Sequence, residues 1–332
     1  MILVCGGAGY IGSHMVDRLI QEGEQVVVID SLGTGFEKAV HSKAILEIGD
    51  LRDVDFLDKI FDKYPIDCVY HFAASSLVGE SVKVPFKYYD NNVVGTLRLL
   101  EIMSIYGVKR LVFSSTAAVY GEPESVPITE NQRKSPTSPY GETKLAVENM
   151  IKWADVAFGI KSVCLRYFNV AGASIDGHIG EAHQPETHLI PNVLKAALGE
   201  QKLTVFGSDY PTPDGTCIRD YIHIADLVEA HQKAMAYLQS GGQTRAFNLG
   251  NGGGFSVKEI IDAAVTVTRR EIPYEIKERR AGDPAILVAD ASLAAEILGW
   301  KPFYTNVLDI IETAWRWHQL HPMGYKEPED EA

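Results

Sequence analysis

A short apolar run, Ile2-Leu3-Val4-Cys5, passes straight into Gly6-Gly7-Ala8-Gly9-Tyr10-Ile11-Gly12, and no other feature narrows the possible folds as far. The run reads as a buried parallel strand, and a helical pattern follows from Ser13 to Glu22. Gly6 allows a tight turn, Gly9 lets backbone approach a pyrophosphate, and Gly12 lets the helix pack on the strand. The helix N-terminus then offers unpaired amides to phosphate. A second strand, Val26 to Ile29, ends at Asp30, eighteen residues after Gly12. An acid there accepts hydrogen bonds from an adenosine ribose and repels a 2′-phosphate, so the expected cofactor is NAD and not NADP.

Further strands are predicted at residues 44–48, 67–72, 110–114 and 161–166, alternating with helices at 54–63, 91–106 and 141–158. This alternation predicts an α/β fold, a doubly wound parallel Rossmann-type sheet with ligands at the carboxyl ends of its strands. Asp50-Leu51 and Phe72-Ala73-Ala74 follow such strands and are placed to meet adenine and cofactor phosphates. Asn92, near the start of a long helix, is read equally as its cap or as a group facing the cofactor. After Tyr167-Phe168-Asn169 the alternation loosens, and residues 173–188 are rich in Gly, His, Asp and Pro, as in a loop near a ligand. The expected division is a NAD-binding domain over 1–172 and a smaller α/β substrate lobe over 173–332 that returns some elements to the first. The charged tail 326–332 is expected to be disordered.

Composition removes other classes. A formal charge of −13 argues against nucleic acid or an anionic membrane as general partners. Cys5, Cys68, Cys164 and Cys217 form no C-x-x-C pair and read as buried thiols in a reducing compartment. The ten histidines show no H-E-x-x-H or similar spacing, so no metal site is expected. No signal peptide or membrane-length apolar run is evident, so the expected location is the cytoplasm.

The chemistry is carried by Tyr140-Gly-Glu-Thr-Lys144 and Ser114-Ser115-Thr116. A tyrosine and a lysine four apart share one helix face. Ionising an unperturbed phenol of pKa about 10 near pH 7 needs roughly 4 kcal/mol, which the Lys144 charge and an oxidised nicotinamide can supply. Thr116, if it ends a strand, can hydrogen-bond a substrate hydroxyl. The trio suits removal of a proton from an alcohol as a hydride leaves for the cofactor.

At this point the chain resembles the extended short-chain dehydrogenase/reductase superfamily and, within it, the UDP-sugar 4-epimerases. The resemblance rests on residues 6–14, Tyr88-Tyr89-Asp90-Asn91-Asn92, residues 114–121, residues 138–144 and Leu165-Arg166-Tyr167-Phe168-Asn169. Residues 206–212, 214–223 and 279–284 carry it through the second lobe. It implies an isomerase that interconverts UDP-galactose and UDP-glucose through a 4-keto sugar, with Tyr140 as acid/base, Lys144 on the nicotinamide ribose and Thr116 on the 4-hydroxyl. Tyr10, Ile11, Ser31, Ser114 and Tyr167 join the implied cofactor set. Arg219, Arg280 and Asn169 would hold the diphosphate, Asp283 the uridine ribose, and Thr204-Val205-Phe206 the uracil, with Leu189 also in the substrate set. The family often pairs as homodimers through its long helices.

Three positions depart from better-known members. Ser76 stands where many have lysine, His188 where some have asparagine, and Leu287 where some have tyrosine. The smaller Leu287 leaves room beside the sugar C2, which would admit N-acetylated UDP-hexoses. Ala117 and Ala118 after Thr116 disfavour a dehydratase, which needs an acid and a base there, and a decarboxylating relative. Asp30 disfavours an NADPH-dependent reductase. An epimerase of UDP-uronates and a non-catalytic NAD-binding redox sensor are the remaining alternatives.

Overall fold

The computed structural model describes residues 1–280 and 283–326. Ala281 and Gly282, within one of the quoted strings, and the tail beyond Lys326 lie outside the described residues. The strands are β1 (Ile2–Cys5), β2 (Val26–Asp30), β3 (Ile45–Ile48), β4 (Cys68–His71), β5 (Arg110–Thr116), β6 (Lys161–Tyr167), β7 (Asn169–Ala171), β8 (Leu203–Phe206), β9 (Ile218–Arg219), β10 (Tyr221–His223), β11 (Arg245–Leu249), β12 (Phe255–Ser256), β13 (Tyr274–Lys277) and β14 (Ile286–Leu287). Seven of them form one parallel sheet in the order β11-β6-β5-β4-β1-β2-β3. The order reverses between β1 and β4, which opens a crevice beyond their carboxyl ends.

Alternation along the strands explains why both faces are covered. Leu3 and Cys5 point into one apolar layer and Val4 into the other. Helices α1 (Tyr10–Gln21) and α8 (Ile224–Gln239) lie on the Val4 side. Helices α2 (Val54–Lys63), α5 (Gly95–Ile105) and α6 (Pro139–Phe158) cover the other. Helix α8 and strand β11, from the C-terminal half of the chain, pack on and within this sheet.

Two helices differ from the sequence expectation in an informative way. Helix α6 begins two residues earlier than 141, because Ser138 caps it by accepting from Gly141 N at 3.2 Å and Pro139 suits the first turn. It ends at Gly159, whose φ of 67° lies in the left-handed region. The helix expected at 91–106 starts upstream with α3 (Val78–Lys83) and α4 (Pro85–Tyr88), then runs through a π-helical turn at Tyr89–Val94 into α5. Asn92 therefore sits inside a helical run and caps nothing.

The second lobe is assembled from small sheets: β8 with β13, β7 with β10, and β9 between β12 and β14. Helices α7 (Leu189–Leu198), α9 (Val257–Thr268) and α11 (Val307–Leu320) close a separate core around them. The short helix α10 (Ser292–Leu298) packs back on the main sheet. No described helix is long and apolar enough to cross a membrane.

Candidate functional site

The glycine turn is closed chiefly by close backbone contacts. Gly6 N donates to Ile29 O at 2.8 Å, and a Cβ on Gly12 would stand 2.1 Å from Gly6 O. A Cβ on Gly6 would stand 2.5 Å from Ala73 N, so the turn and the segment after β4 meet directly. At Gly9, the N-cap of α1, the nearest atom to such a Cβ is Gly6 O at 3.5 Å. That leaves one approachable side beside the helix N-terminus. Asp30 accepts from Ala8 N at 3.0 Å and from Leu32 N at 2.9 Å, so both of its oxygens are oriented by the turn. Burial raises its pKa while those hydrogen bonds lower it. The close-packed glycines, the open helix end and the fixed acid fit a dinucleotide.

Around this cradle the other predicted cofactor residues divide by what already engages them. Ile11 packs on the core, the Tyr10 hydroxyl donates to Gly172 O at 2.7 Å, and Tyr10 O accepts from Ser13 Oγ at 3.0 Å. Ser31 is exposed and accepts from Gly33 N at 3.4 Å. Asp50 is bound by Arg52, with Nε to Oδ1 at 2.9 Å, and Leu51 is buried. Phe72 packs against His231 with ring centroids 4.8 Å apart, and Ala73 and Ala74 line the same half-buried edge. Asn92 is buried and binds Ser75 N at 2.8 Å, Ser75 O at 3.0 Å and Thr143 Oγ1 at 3.0 Å. It fastens the segment after β4 to α6. Ser76 beside it is exposed.

Tyr140 and Lys144 lie one turn apart at the start of α6, next to Thr116, the last residue of β5. Lys144 Nζ donates to Ser114 O at 2.8 Å and stands 4.8 Å from the Phe113 ring centroid and 6.0 Å from that of Tyr140. Burial pushes the Tyr140 phenol up, and hydrogen bonding with Thr116 pulls it down. Burial also lowers Lys144 to about 7, against the smaller opposing effects of Cys164 and Glu148. Desolvation therefore leads at both groups, and each is drawn toward its neutral form. Ser114 Oγ is hydrogen-bonded to the Tyr167 hydroxyl on β6.

Behind this trio lies a buried network that the sequence reading did not single out. Glu148 pairs with Arg166 at 2.8 and 2.5 Å and accepts from Ser115 Oγ at 2.6 Å. Arg166 also donates to the Tyr120 hydroxyl at 2.8 Å, which donates to Asn248 Oδ1 at 2.7 Å. Glu148 is one helical turn beyond Lys144, so Tyr140, Lys144 and Glu148 at i, i+4, i+8 were the available signal.

The predicted substrate residues gather in the second lobe. Thr204, Val205 and Phe206 form β8, and the Arg280 guanidinium stacks 4.1 Å from the Phe206 ring centroid. Arg219, on β9, pairs with Asp283 and donates to Ile218 O at 2.7 Å. Asn169 Nδ2 reaches Asp220 O at 3.3 Å, and Leu189 opens α7. The Asp220 carboxylate is buried, accepting from Asn251 N at 2.6 Å and Ala289 N at 3.0 Å to hold these segments together. Leu287 pairs in register with Arg219 and packs with Val119, Tyr120 and Ile128. His188 turns its Nδ1 to Glu181.

Comparison with known proteins agrees with this geometry. Residues 2–250 match the NAD dependent epimerase/dehydratase family. The chain is 54% identical over 325 residues to a UDP-glucose 4-epimerase of Lacticaseibacillus casei, covering 98% of each chain. It superposes with TM-score 0.92 at 40% identity on a Bifidobacterium longum UDP-glucose 4-epimerase in complex with NAD+ and UDP, covering 98% of this chain and 99% of that one. A UDP-Glc/GlcNAc 4-epimerase of Campylobacter jejuni aligns at 40% identity and TM-score 0.84, covering 96% and 99%.

Proposed function

The chain belongs to the NAD dependent epimerase/dehydratase family, and from that premise we propose that it interconverts UDP-galactose and UDP-glucose by inverting the sugar at C4. It is an NAD-dependent isomerase. Bound NAD supplies a transient acceptor for the C4 hydride. Tyr140 takes the proton of the 4-hydroxyl and returns it to O4 once the 4-keto sugar has turned over and regained the hydride at C4 on its opposite face. Thr116, beside Tyr140 at the end of β5, orients that hydroxyl. Lys144 shares the helix face of Tyr140, and in its protonated form it would favour the phenolate. The observation that carries this reading is the convergence of Thr116, Tyr140 and Lys144 at the carboxyl end of the sheet beside the Gly6–Gly12 turn.

In the cofactor cradle, Gly6, Gly9 and Gly12 admit the pyrophosphate and Asp30 holds the adenosine ribose. In the second lobe, Arg219 and Arg280 hold the diphosphate and Asp283 the uridine ribose. The Arg219–Asp283 pair supports this by setting the two groups side by side. The grip falls on the nucleotide, which leaves the hexose free to turn and present its other face.

The test is turnover of UDP-galactose by the purified protein without added cofactor, with UDP-glucose read by a coupled dehydrogenase. Product without net NADH release is the expected result. Absence of product with or without added NAD would overturn the reading and send the search to other nucleotide sugars, uronates included. A second reading concerns substrate range. Leu287 packs against Val119 and Tyr120, which follow Thr116 closely, and a leucine where some relatives have tyrosine would admit an N-acetyl group at C2. Interconversion of UDP-GlcNAc and UDP-GalNAc tests it. Exposed Phe86, Leu97, Trp153 and Val156 on α4, α5 and α6 also support a homodimer through these helices, which sedimentation checks.

A further inference from the structure

Ahead of α7, the sequence Glu181-Ala-His183-Gln-Pro-Glu186-Thr-His188 folds four potential ligands onto one point. One atom from each of Glu181, His183, Glu186 and His188 lies within 4.8 Å of all the others. His183 Nδ1 is 3.0 Å from Glu181 Oε1 and 3.8 Å from Glu186 Oε2, and His188 Nδ1 is 3.9 Å from Glu186 Oε1. His188 Nδ1 also meets Glu181 Oε1, so two imidazoles turn the same ring nitrogen to one carboxylate oxygen. Zinc with nitrogen or oxygen ligands at about 2.0–2.2 Å sets tetrahedral neighbours about 3.4 Å apart. The observed separations bracket that figure, and small side-chain shifts would complete the set.

The two carboxylates need positive charge, which protonated imidazoles or a bound cation can supply here. The Glu181 and Glu186 side chains are each only 4% exposed. Among the described residues, no lysine or arginine lies within ion-pair distance of either. Two buried carboxylates side by side repel unless positive charge lies between them. The surrounding groups already orient the candidates. Glu186 Oε1 accepts from Thr187 N at 2.8 Å and His188 N at 2.9 Å, and Glu181 O accepts from Trp317 Nε1 at 3.0 Å. Hydrogen bonds of this kind fix ligand geometry in metal sites.

We propose that Glu181, His183, Glu186 and His188 form a binding site for a divalent transition cation of the zinc class. Two imidazole nitrogens favour zinc over magnesium or calcium, which take oxygen ligands. The site is structural. It lies between α1 and α11, with the His183 ring 6.4 Å from that of Tyr10 and Glu181 tied to Trp317. A cation there clamps the 173–188 connection against both the helix of the glycine turn and the last helix. It also anchors the start of α7.

The experiment uses the full-length protein with its native cofactor, treated with EDTA, desalted, loaded with zinc sulfate and desalted again. About one zinc per chain is expected by elemental analysis, together with a higher melting temperature than the EDTA-treated sample. Cobalt(II) in place of zinc should give visible d–d bands, a readout on the wild-type chain that needs no variant. His183→Ala and His188→Ala should each lose the retained zinc and the thermal shift, whereas His41→Ala, far along the chain, should keep both. Zinc at background level in the wild-type protein would overturn the site and leave a metal-free Glu/His cluster. Equal retention by the two ligand variants would place zinc elsewhere and overturn it as well.

Discussion

The cofactor side and the nucleotide side of this molecule are built by different means. The cofactor cradle rests on a seven-stranded parallel sheet packed on both faces, and its turn is built from close backbone contacts with the Asp30 carboxylate bound to Ala8 N. Several of the proposed substrate residues sit on strands of two to four residues in two- and three-stranded sheets, tied to loop residues by side-chain pairs such as Arg219–Asp283 and Arg280 over Phe206. A wide buried sheet resists deformation, because every strand shift disturbs packing on two layers. Small sheets joined by polar side chains rearrange at less cost. That contrast suits a reaction in which one ligand is retained and the other must enter, turn and leave.

The largest effect is expected from the chemistry where the two halves meet. Tyr140→Phe removes the proton carrier but leaves the ring packing, so kcat should fall about 10²- to 10⁴-fold with little change in cofactor content. Steady-state kinetics with an absorbance check for bound NAD measures both. An unchanged kcat would remove Tyr140 from the reaction.

The rigid side is tested next by Glu148→Gln. Arg166 would lose its buried charge partner, and destabilisation of about 3–5 kcal/mol is expected by denaturant unfolding. A loss under 1 kcal/mol would mean that the platform behind Lys144 is softer than the sheet suggests.

Lys144 gives a pH signature on the same side. Its folded pKa, near 7, lies below that of about 10.4 in an unfolded chain. Between those values the unfolded chain binds the extra proton, so stability should rise with pH by up to about 1.4 kcal/mol per unit from this group. Below pH 7 both states are protonated and the slope from Lys144 vanishes. Cofactor-free protein melted at pH 7 and 8 should show this rise relative to Lys144→Met, which lacks it. Parallel curves would refute the lowered pKa.

The adaptable side should yield more modestly. Arg219→Ala removes a charged donor from the proposed diphosphate grip, worth about 1.5–3 kcal/mol, so KM for UDP-galactose should rise roughly 10- to 100-fold with the cofactor still bound. A fall in kcat with KM unchanged would mean that Arg219 only braces Asp283.

How far the sequence could be read follows from how local each feature is. The Gly6–Gly12 turn, Asp30 and the Tyr140–Lys144 pair were legible because strand, turn and helix periodicities act over a few residues. Even there, Ser138 and Pro139 had to be weighed as a cap to start α6 correctly. Sequence leaves Asn92 open between a helix cap and a group facing the cofactor, and the structure removes the cap because the helical run begins upstream at Pro85 and accommodates a π-helical turn. The Glu181–His188 cluster carries no familiar zinc spacing although all four residues lie within eight positions, because only the fold brings their side chains together.

By itself, then, the sequence determined the doubly wound α/β class and gave the expectation of a NAD cradle and of Thr116, Tyr140 and Lys144 as the proton-transfer residues, all carried by short-range patterns. Only the tertiary structure decided that Arg166 serves Glu148 and Tyr120, that Arg219 meets Asp283 across 64 positions, and that β11 completes the sheet beside β6. Those pairings join residues distant along the chain. Their partners are selected by which surfaces must be buried together and which buried charges must be matched, and no local window of sequence contains that information.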